Sequence, residues 1–299
     1  MNRRQAVLLF FLLLAPGFLL AGGRRDGEDR EEGPFRRTIA VRLPDQEAGA
    51  ARLELRFGGG RLSVRPGSSR LLVEGEALYN NKLFQPVERK EGRKIVLSAG
   101  DGRLELKEFL ELWESLRDHL NRWDLRLAPV PLELSMELGA CSTSLDLGGL
   151  PVRRLRLSQG LADFALDFSS PNPGEMEELI FFGGASRSTL KGLANANAAR
   201  IECQGGGGVF ILDFSGRLRR DLFVKLETGA GEVTLSVPRE TTVEVESHTG
   251  LTLVDFRGTW DRPSEHRYRH EGTRPGPKIT VDAAVFAGKL ILLADRPGD

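Results

Sequence analysis

The sequence has no charge excess of either sign. Its 299 residues carry 42 basic and 42 acidic side chains, which argues against a nucleic-acid binder, since such a protein shows a clustered basic surplus. Nor is the composition helix-favouring overall, because the middle and the end are rich in Gly and interspersed with Thr, Ser and Val. No Gly-x-Ser-x-Gly elbow occurs. The run GGGG at Gly205–Gly208 lacks the Lys-Ser or Lys-Thr of a phosphate loop and reads as a turn. Histidine is scarce, with four in the chain: His119, His248, His266 and His270. His266 and His270 are four apart in HRYRH, a spacing that serves a metal only on a helix. Pro263, Pro275 and Pro277 place this stretch in a solvated basic loop instead. No catalytic, cofactor-binding or metal-binding residue is assigned, and no cofactor is expected.

Long hydrophobic runs are also missing, apart from one at the start. MNRR is followed by the apolar stretch Ala6–Ala21, with Ala21 and Gly23 at the small −3 and −1 positions of a cleavage site. This is the order of an export signal over residues 1–23. The apolar stretch is short for a membrane span and contains Pro16 and Gly17. Cleavage and an extracytoplasmic location, periplasm or cell surface, are therefore expected; a retained N-terminal membrane anchor is the alternative. Residues 24–44 form a charged linker beginning RRDGEDREEG.

What is present in abundance is glycine, 35 residues, many of them periodic. Gly139, Gly160, Gly184, Gly206, Gly229 and Gly250 follow one another at intervals of 21, 24, 22, 23 and 21 residues. Such a period signals stacked repeats, and alternation within each copy signals strands. Five and three places before each Gly stand pairs such as Leu134 and Met136, Leu155 and Leu157, or Val224 and Leu226. Six and eight places after it stand Leu145 and Leu147, Leu166 and Phe168, Leu212 and Phe214, or Leu235 and Val237. These are read as one parity and one core face. The Gly itself is assigned the tight, left-handed turn between the two strands of a rung. Ala51–Gly67 reads as a further rung or an N-terminal strand pair.

Asp146, Asp167, Lys191, Asp213 and Ser236 form a column seven places after the Gly. Its parity makes it an exposed ladder of a rung's outer face. Ile180, Phe182, Val209 and Ile211 break the outward-polar rule. They are either covered within the chain or form an apolar interaction patch. Between the early strands, Leu106, Phe109, Leu110, Trp113, Leu116 and Leu120 recur at helical spacing. One amphipathic helix, as an insert or a cap, is expected there. Cys141 and Cys203, the two cysteines, fall on the first and fourth rungs. Three steps of about 4.8 Å separate them by roughly 14 Å, too far for a disulfide. Two buried free thiols are expected.

The run WDLRLAPVPLELSMELGACSTSLDLGGLPVRRLRLSQGLADFALDF, with LKGLANANAARIECQGGGGVFILDFSG and VKLETGAGEVTLSVP, resembles the toast-rack β-domain. That domain belongs to the cell-wall-active antibiotic response proteins and adhesin-like proteins of bacterial envelopes. The resemblance spans Trp123–Val254 and implies a right-handed, single-stranded β-solenoid of paired strands. The chain departs from the pattern in its helical insert and in lacking the accompanying membrane-helix region, which favours a free exported domain. The organisation expected is a signal peptide (1–23), linker (24–44), N-terminal strands with the helical insert (45–130) and an all-β solenoid of ~22-residue rungs (131–299). The function expected is a non-enzymatic scaffold with an adhesive, ligand-binding or envelope-stress-sensing role. Its partner would be a cell-envelope component or a membrane-associated protein, not nucleic acid. The alternative is a polysaccharide-active β-helix enzyme using the outward Asp residues.

Overall fold

The computed structural model describes residues 34–43, 49–67, 70–100, 120–161 and 163–296. The N-terminal part holds β1 (Phe35–Arg42), β2 (Ala51–Pro66), β3 (Leu71–Tyr79), β4 (Pro86–Glu91), β5 (Lys94–Ala99) and β6 (Asn121–Leu127). Next come β7 (Leu132–Asp146), β8 (Val152–Gln159), β9 (Asp163–Asp167), β10 (Met176–Lys191), β11 (Ala198–Asp213) and β12 (Leu222–Pro238). β13 (Val243–Arg257), β14 (Asp261–Ser264), β15 (Arg267–His270) and β16 (Ile279–Arg296) complete the fold. Among the described residues the chain is all-β, with a single 3-10 turn at Lys82–Phe84. The expected helix falls on residues 101–119, outside the described residues except for its last position, Leu120.

The long strands run parallel and in register, each a rung of two arms meeting near its central glycines. β2 pairs with β7, β7 with β8 and β9, these with β10, and the ladder continues through β11 and β12 to β16. Before β2, the two arms of one more rung are supplied by β5 and β6. The arms close on a common core. Phe181 on the first arm of β10 meets Phe164 on the second arm, β9, with ring centroids 5.0 Å apart. Trp123 and Phe57 pack edge-on at 5.4 Å. Antiparallel strands cover the N-terminal end: β4 on β5, and β3 then β1 on β6.

The core columns before and after the bend do not share one parity. Positions five before and six after the Gly are eleven apart, an odd number, so a regular strand would put them on opposite faces. In β7, Leu134, Met136 and Leu138 are buried, and then Cys141, Thr143 and Leu145. The phase slips by one residue between Leu138 and Cys141. Where a rung has a left-handed residue at the bend, it is likewise not the Gly at position zero but a glycine two places later. Gly208, Gly231 and Gly288 have φ of 118°, 133° and 127°. Here the backbone turns so closely over the preceding rung that a Cβ on Gly231 would lie 2.0 Å from the Gly208 carbonyl oxygen.

Simple repetition would seat the Gly250 rung directly on the Gly229 rung. The structure instead inserts β16 between them, pairing β12 on one side and β13 on the other. The apolar content of the two strands explains this order. Val281, Ala283, Val285, Leu290, Leu292 and Ala294 of β16 are all buried. β13 carries Glu244, Glu246, Asp255 and Arg257, charges that suit an end strand.

HRYRH is not a loop. It turns at His266 and continues as β15, which pairs antiparallel with the first arm of β13. Tyr268 and His270 point inward while Arg267 and Arg269 face out, so strand alternation overrides the flanking prolines.

Candidate interaction surface

The outer columns follow from the register. On the first arm one column runs Arg52, Glu133, Arg154, Glu178, Arg200. Opposite charges alternate from rung to rung, with Arg52 and Glu133 paired at 3.0 Å and Arg154 paired with Glu177. Glu54, 8% exposed, sits between Arg56 and Lys94, with Lys94 Nζ donating at 2.9 Å. Burial pushes its carboxyl pKa up, but hydrogen bonds and charge from Lys94 and Arg56 outweigh this and hold it below the usual range.

The second arm differs toward the C-terminal end. One outer column runs Asp163, Arg187, Val209, Glu232, Lys289, Leu253; the next runs Ala165, Thr189, Ile211, Thr234, Ile291, Asp255. Val209, Ile211, Thr234 and Ile291 thus form a half-buried, threonine- and isoleucine-rich face. It leads to Leu251 and Leu253 on β13, which are 83% and 75% exposed. Phe286 at the bend of β16 is 69% exposed, and Phe256 is 45% exposed although it stands in the core column of Leu235 and Leu292. Asp255 and Lys289 pair at 3.3 Å across this end. The face offers apolar contact broken by Arg187, Glu232 and the Asp255–Lys289 pair.

The four residues singled out from sequence divide between the two arms. Val209 and Ile211 belong to the face just described. Ile180 and Phe182 lie on the first arm; Ile180 is buried between Arg156 and Glu202, and Phe182 is half-buried between Ser158 and Gln204. Long side chains cover apolar surface with their stems. The members missed from sequence, Leu251, Leu253, Ile291 and Phe286, became visible only once β16 was seen to displace β13 to the end.

The Asp column is not the exposed ladder its parity suggests. Asp146 and Asp167 are half-buried and Asp213 is 8% exposed. Each terminates an arm where the chain turns away. Asp146 Oδ1 accepts from Gly148 N at 2.9 Å and from Ser169 Oγ at 2.8 Å, and Asp213 Oδ1 accepts from Ser215 N at 2.8 Å. This side-chain bond to the backbone two residues on is an Asx turn. Asp167 faces Asp146 on one side and Lys191 on the other. Burial, then the charge of Asp146, raise its pKa above the usual carboxylate range, with Lys191 acting in the opposite sense. The NANA stretch has a similar use. Asn195 Nδ2 donates to the Phe168 carbonyl at 3.0 Å and Asn197 Nδ2 to that of Gly174 at 2.6 Å, joining turns of adjacent rungs.

His270 is 3% exposed, its ring nitrogens 2.8 Å from the Thr259 carbonyl and 3.1 Å from that of Arg239. Among the described residues no three His, Cys, Asp or Glu side chains converge in a metal-binding arrangement. A shallow hollow of about 510 Å³ is lined by Asp221, Thr242, Glu271, Arg274 and Lys278, of which Glu271 pairs with Arg269 at 2.6 Å. Lys278 N donates to Asp221 at 2.9 Å and its Nζ lies 3.3 Å from Glu244. Cys141 and Cys203 are free and buried, three rung steps apart. Burial pushes their thiols up to about 11 and about 12.

Among solved structures, the chain is similar to a candidate cell adhesion protein from Clostridium sporogenes, at 20% identity and a TM-score of 0.46. That match covers 87% of this chain and 99% of the other. A candidate adhesin from Bacteroides fragilis is 10% identical with a TM-score of 0.36, covering 89% and 100%. A candidate lipid binding protein from Parabacteroides distasonis is 10% identical with a TM-score of 0.38, covering 89% and 98%. No curated protein matches the sequence. The model of the N-terminal domain of toast_rack, DUF2154, matches residues 31–183, and with half of its length inside that match the chain belongs to the toast-rack family.

Proposed function

We propose that this chain is an exported, non-enzymatic β-solenoid that serves adhesion, ligand binding or stress sensing at the bacterial cell envelope. The observation that carries the reading is the apolar outer face of the second arm, from Val209 and Ile211 through Ile291 to Leu251 and Leu253. Large apolar side chains exposed together on one face, as Leu251 and Leu253 are beside the half-buried Val209, Ile211 and Ile291, mark an interaction site. The carboxylates that an enzyme would need are committed to turns, as at Asp146 and Asp213. Export rests on the basic, apolar and small-residue order of residues 1–23. The solenoid winding rests on the parallel register of successive rungs, and a right hand follows because parallel crossovers in one sheet are right-handed in about 98% of cases.

The test is co-sedimentation of the protein, recovered from an expressing bacterium, with envelope fractions and purified peptidoglycan. Wild type is expected to pellet with at least one of them. Val209→Lys combined with Ile211→Thr is expected to stay in the supernatant while unfolding at an unchanged midpoint. Wild type free of every fraction, or the double variant binding as wild type does, would refute the reading. N-terminal sequencing of the same material is expected to start near Arg24; an intact Met1 on a membrane-embedded product would refute cleavage.

A further inference from the structure

We propose that the second arm of β13 pairs edge to edge with the same arm of a second copy, making a two-fold dimer. β13 is the last rung. Its inner edge is held by β16 from Val243 to Arg257. Its outer edge is taken by β15 only over Val243–Glu246, and among the described residues Leu251–Arg257 carries no strand on that side. An uncovered edge exposes a row of backbone donors and acceptors, and proteins protect such edges with lysine, proline, bulges or a covering segment. This edge begins Leu-Thr-Leu-Val, and Leu251 and Leu253 are largely exposed.

The chain outside the described residues sets limits on what can cover it. Residues 101–119 leave and rejoin the stack at the β5/β6 rung, eight rung steps from β13. Eight steps are about 38 Å, whereas a looped segment of this length reaches about 35 Å with nothing left to lie along the edge. The β14–β15 hairpin blocks the first arm, so a further parallel rung cannot simply continue the stack.

A second copy fits the open arm by its own sequence. Antiparallel pairing centred on Leu253 sets Leu253 against Leu253, Thr252 against Val254, Leu251 against Asp255, and Phe256 against Gly250, which offers no side chain to obstruct the ring. The four leucines then form one stripe across the two-fold axis, and the two outer faces become continuous. Closed two-fold pairing also ends the assembly at two chains rather than a fibre. Seven residues bury well under the roughly 800 Å² per partner of a stable interface, so the dimer should be concentration-dependent.

Self-association is independent of envelope binding and is read separately. The protein as recovered from an expressing bacterium is measured by sedimentation over a concentration series. Its mass is expected to rise from one chain toward two, and Leu253→Lys is expected to hold it at one with an unchanged melting curve. Leu253→Cys is expected to give a disulfide-linked dimer on non-reducing electrophoresis, because opposed residues in an antiparallel pair lie about 4.5–5.5 Å apart, within disulfide range. Arg187→Cys, on the same outer column but four strands inward, is expected to give none. The native thiols, being buried, do not contribute. A mass of one chain at every concentration, or equal cross-linking of the two cysteine variants, would overturn the proposal. An edge filled by residues 1–33 of the same chain would give the first of these results.

Discussion

Substituting Gly288 by alanine tests the stacking geometry at its tightest point. The residue has φ of 127°, and a Cβ there would sit 1.9 Å from the Gly231 carbonyl oxygen. Such contacts are essentially never below 3.0 Å, so the two rungs must part locally by at least 1.1 Å. That separation breaks about two ladder hydrogen bonds, each contributing about 1 kcal/mol net. The unfavourable backbone conformation adds about 1–2 kcal/mol. A total loss of about 3–4 kcal/mol is expected, a large share of the 5–15 kcal/mol typical of a domain. Gly149 is the control, with φ of 72° and no atom within 4 Å of its added Cβ. Gly149→Ala should therefore cost only the conformational part, about 1–2 kcal/mol. Urea unfolding followed by circular dichroism gives both values. If Gly288→Ala costs no more than Gly149→Ala, the rungs do not approach as described and the role assigned to the positive-φ glycine of the bend is wrong.

Three other outcomes are expected. Asp167→Asn should raise the unfolding midpoint at pH 7 by the equivalent of ~0.2–1 kcal/mol, by removing a charge opposite Asp146. Folding raises the Asp167 pKa, so its contribution is full below its unfolded value and is lost as pH rises through the folded one; the advantage of Asn must therefore vanish in acid, and a benefit that persists there refutes the cause. Glu54→Gln should cost about 1–2 kcal/mol at neutral pH. Because the Glu54 pKa is lowered by folding, that stability is present above its unfolded value and is lost as pH falls through the folded one; an equal cost in strong acid would count against the Lys94 and Arg56 pairing. Thiol titration should return two groups per chain in unreduced denaturant and almost none in native protein, given burial of both cysteines; none in denaturant would mean a disulfide.

The sequence carried the rung structure because a strand repeated in register must repeat its core columns. Leu134, Leu155, Leu179, Ile201 and Val224 do occupy one column. The separation of Cys141 from Cys203 followed from the same count. The bend was less readable. A one-residue phase slip leaves alternation intact on each side, and the glycine that makes it, as at Gly231, lies beside another glycine that does not. The Asp column was legible as a column, but not as a set of turn-forming acceptors, since the partner of Asp146 is the backbone of Gly148. The end of the stack was hidden for a different reason. The charges of β13 suit an end strand but do not by themselves keep it off β12; its place depends on competition with β16, a strand some twenty residues further on.

That placement constrains how the chain can be made. β13 leaves the ribosome before β16, yet its long partner is β16, not β12. At a synthesis rate of 5–20 residues per second, the stretch from Val243 to Arg296 takes roughly 3–10 seconds. Throughout that interval β12 has no permanent neighbour on its open side, and β13 must refrain from docking there or be displaced when β16 arrives. That end of the stack can therefore close only once β16 has been made. A chain released early, without β16, would leave β12, with its buried Val224, Leu226, Val233 and Leu235, open to β13 in the register that β16 now takes between them. Late closure keeps this end of the stack unpaired, and so threadable, until β16 arrives.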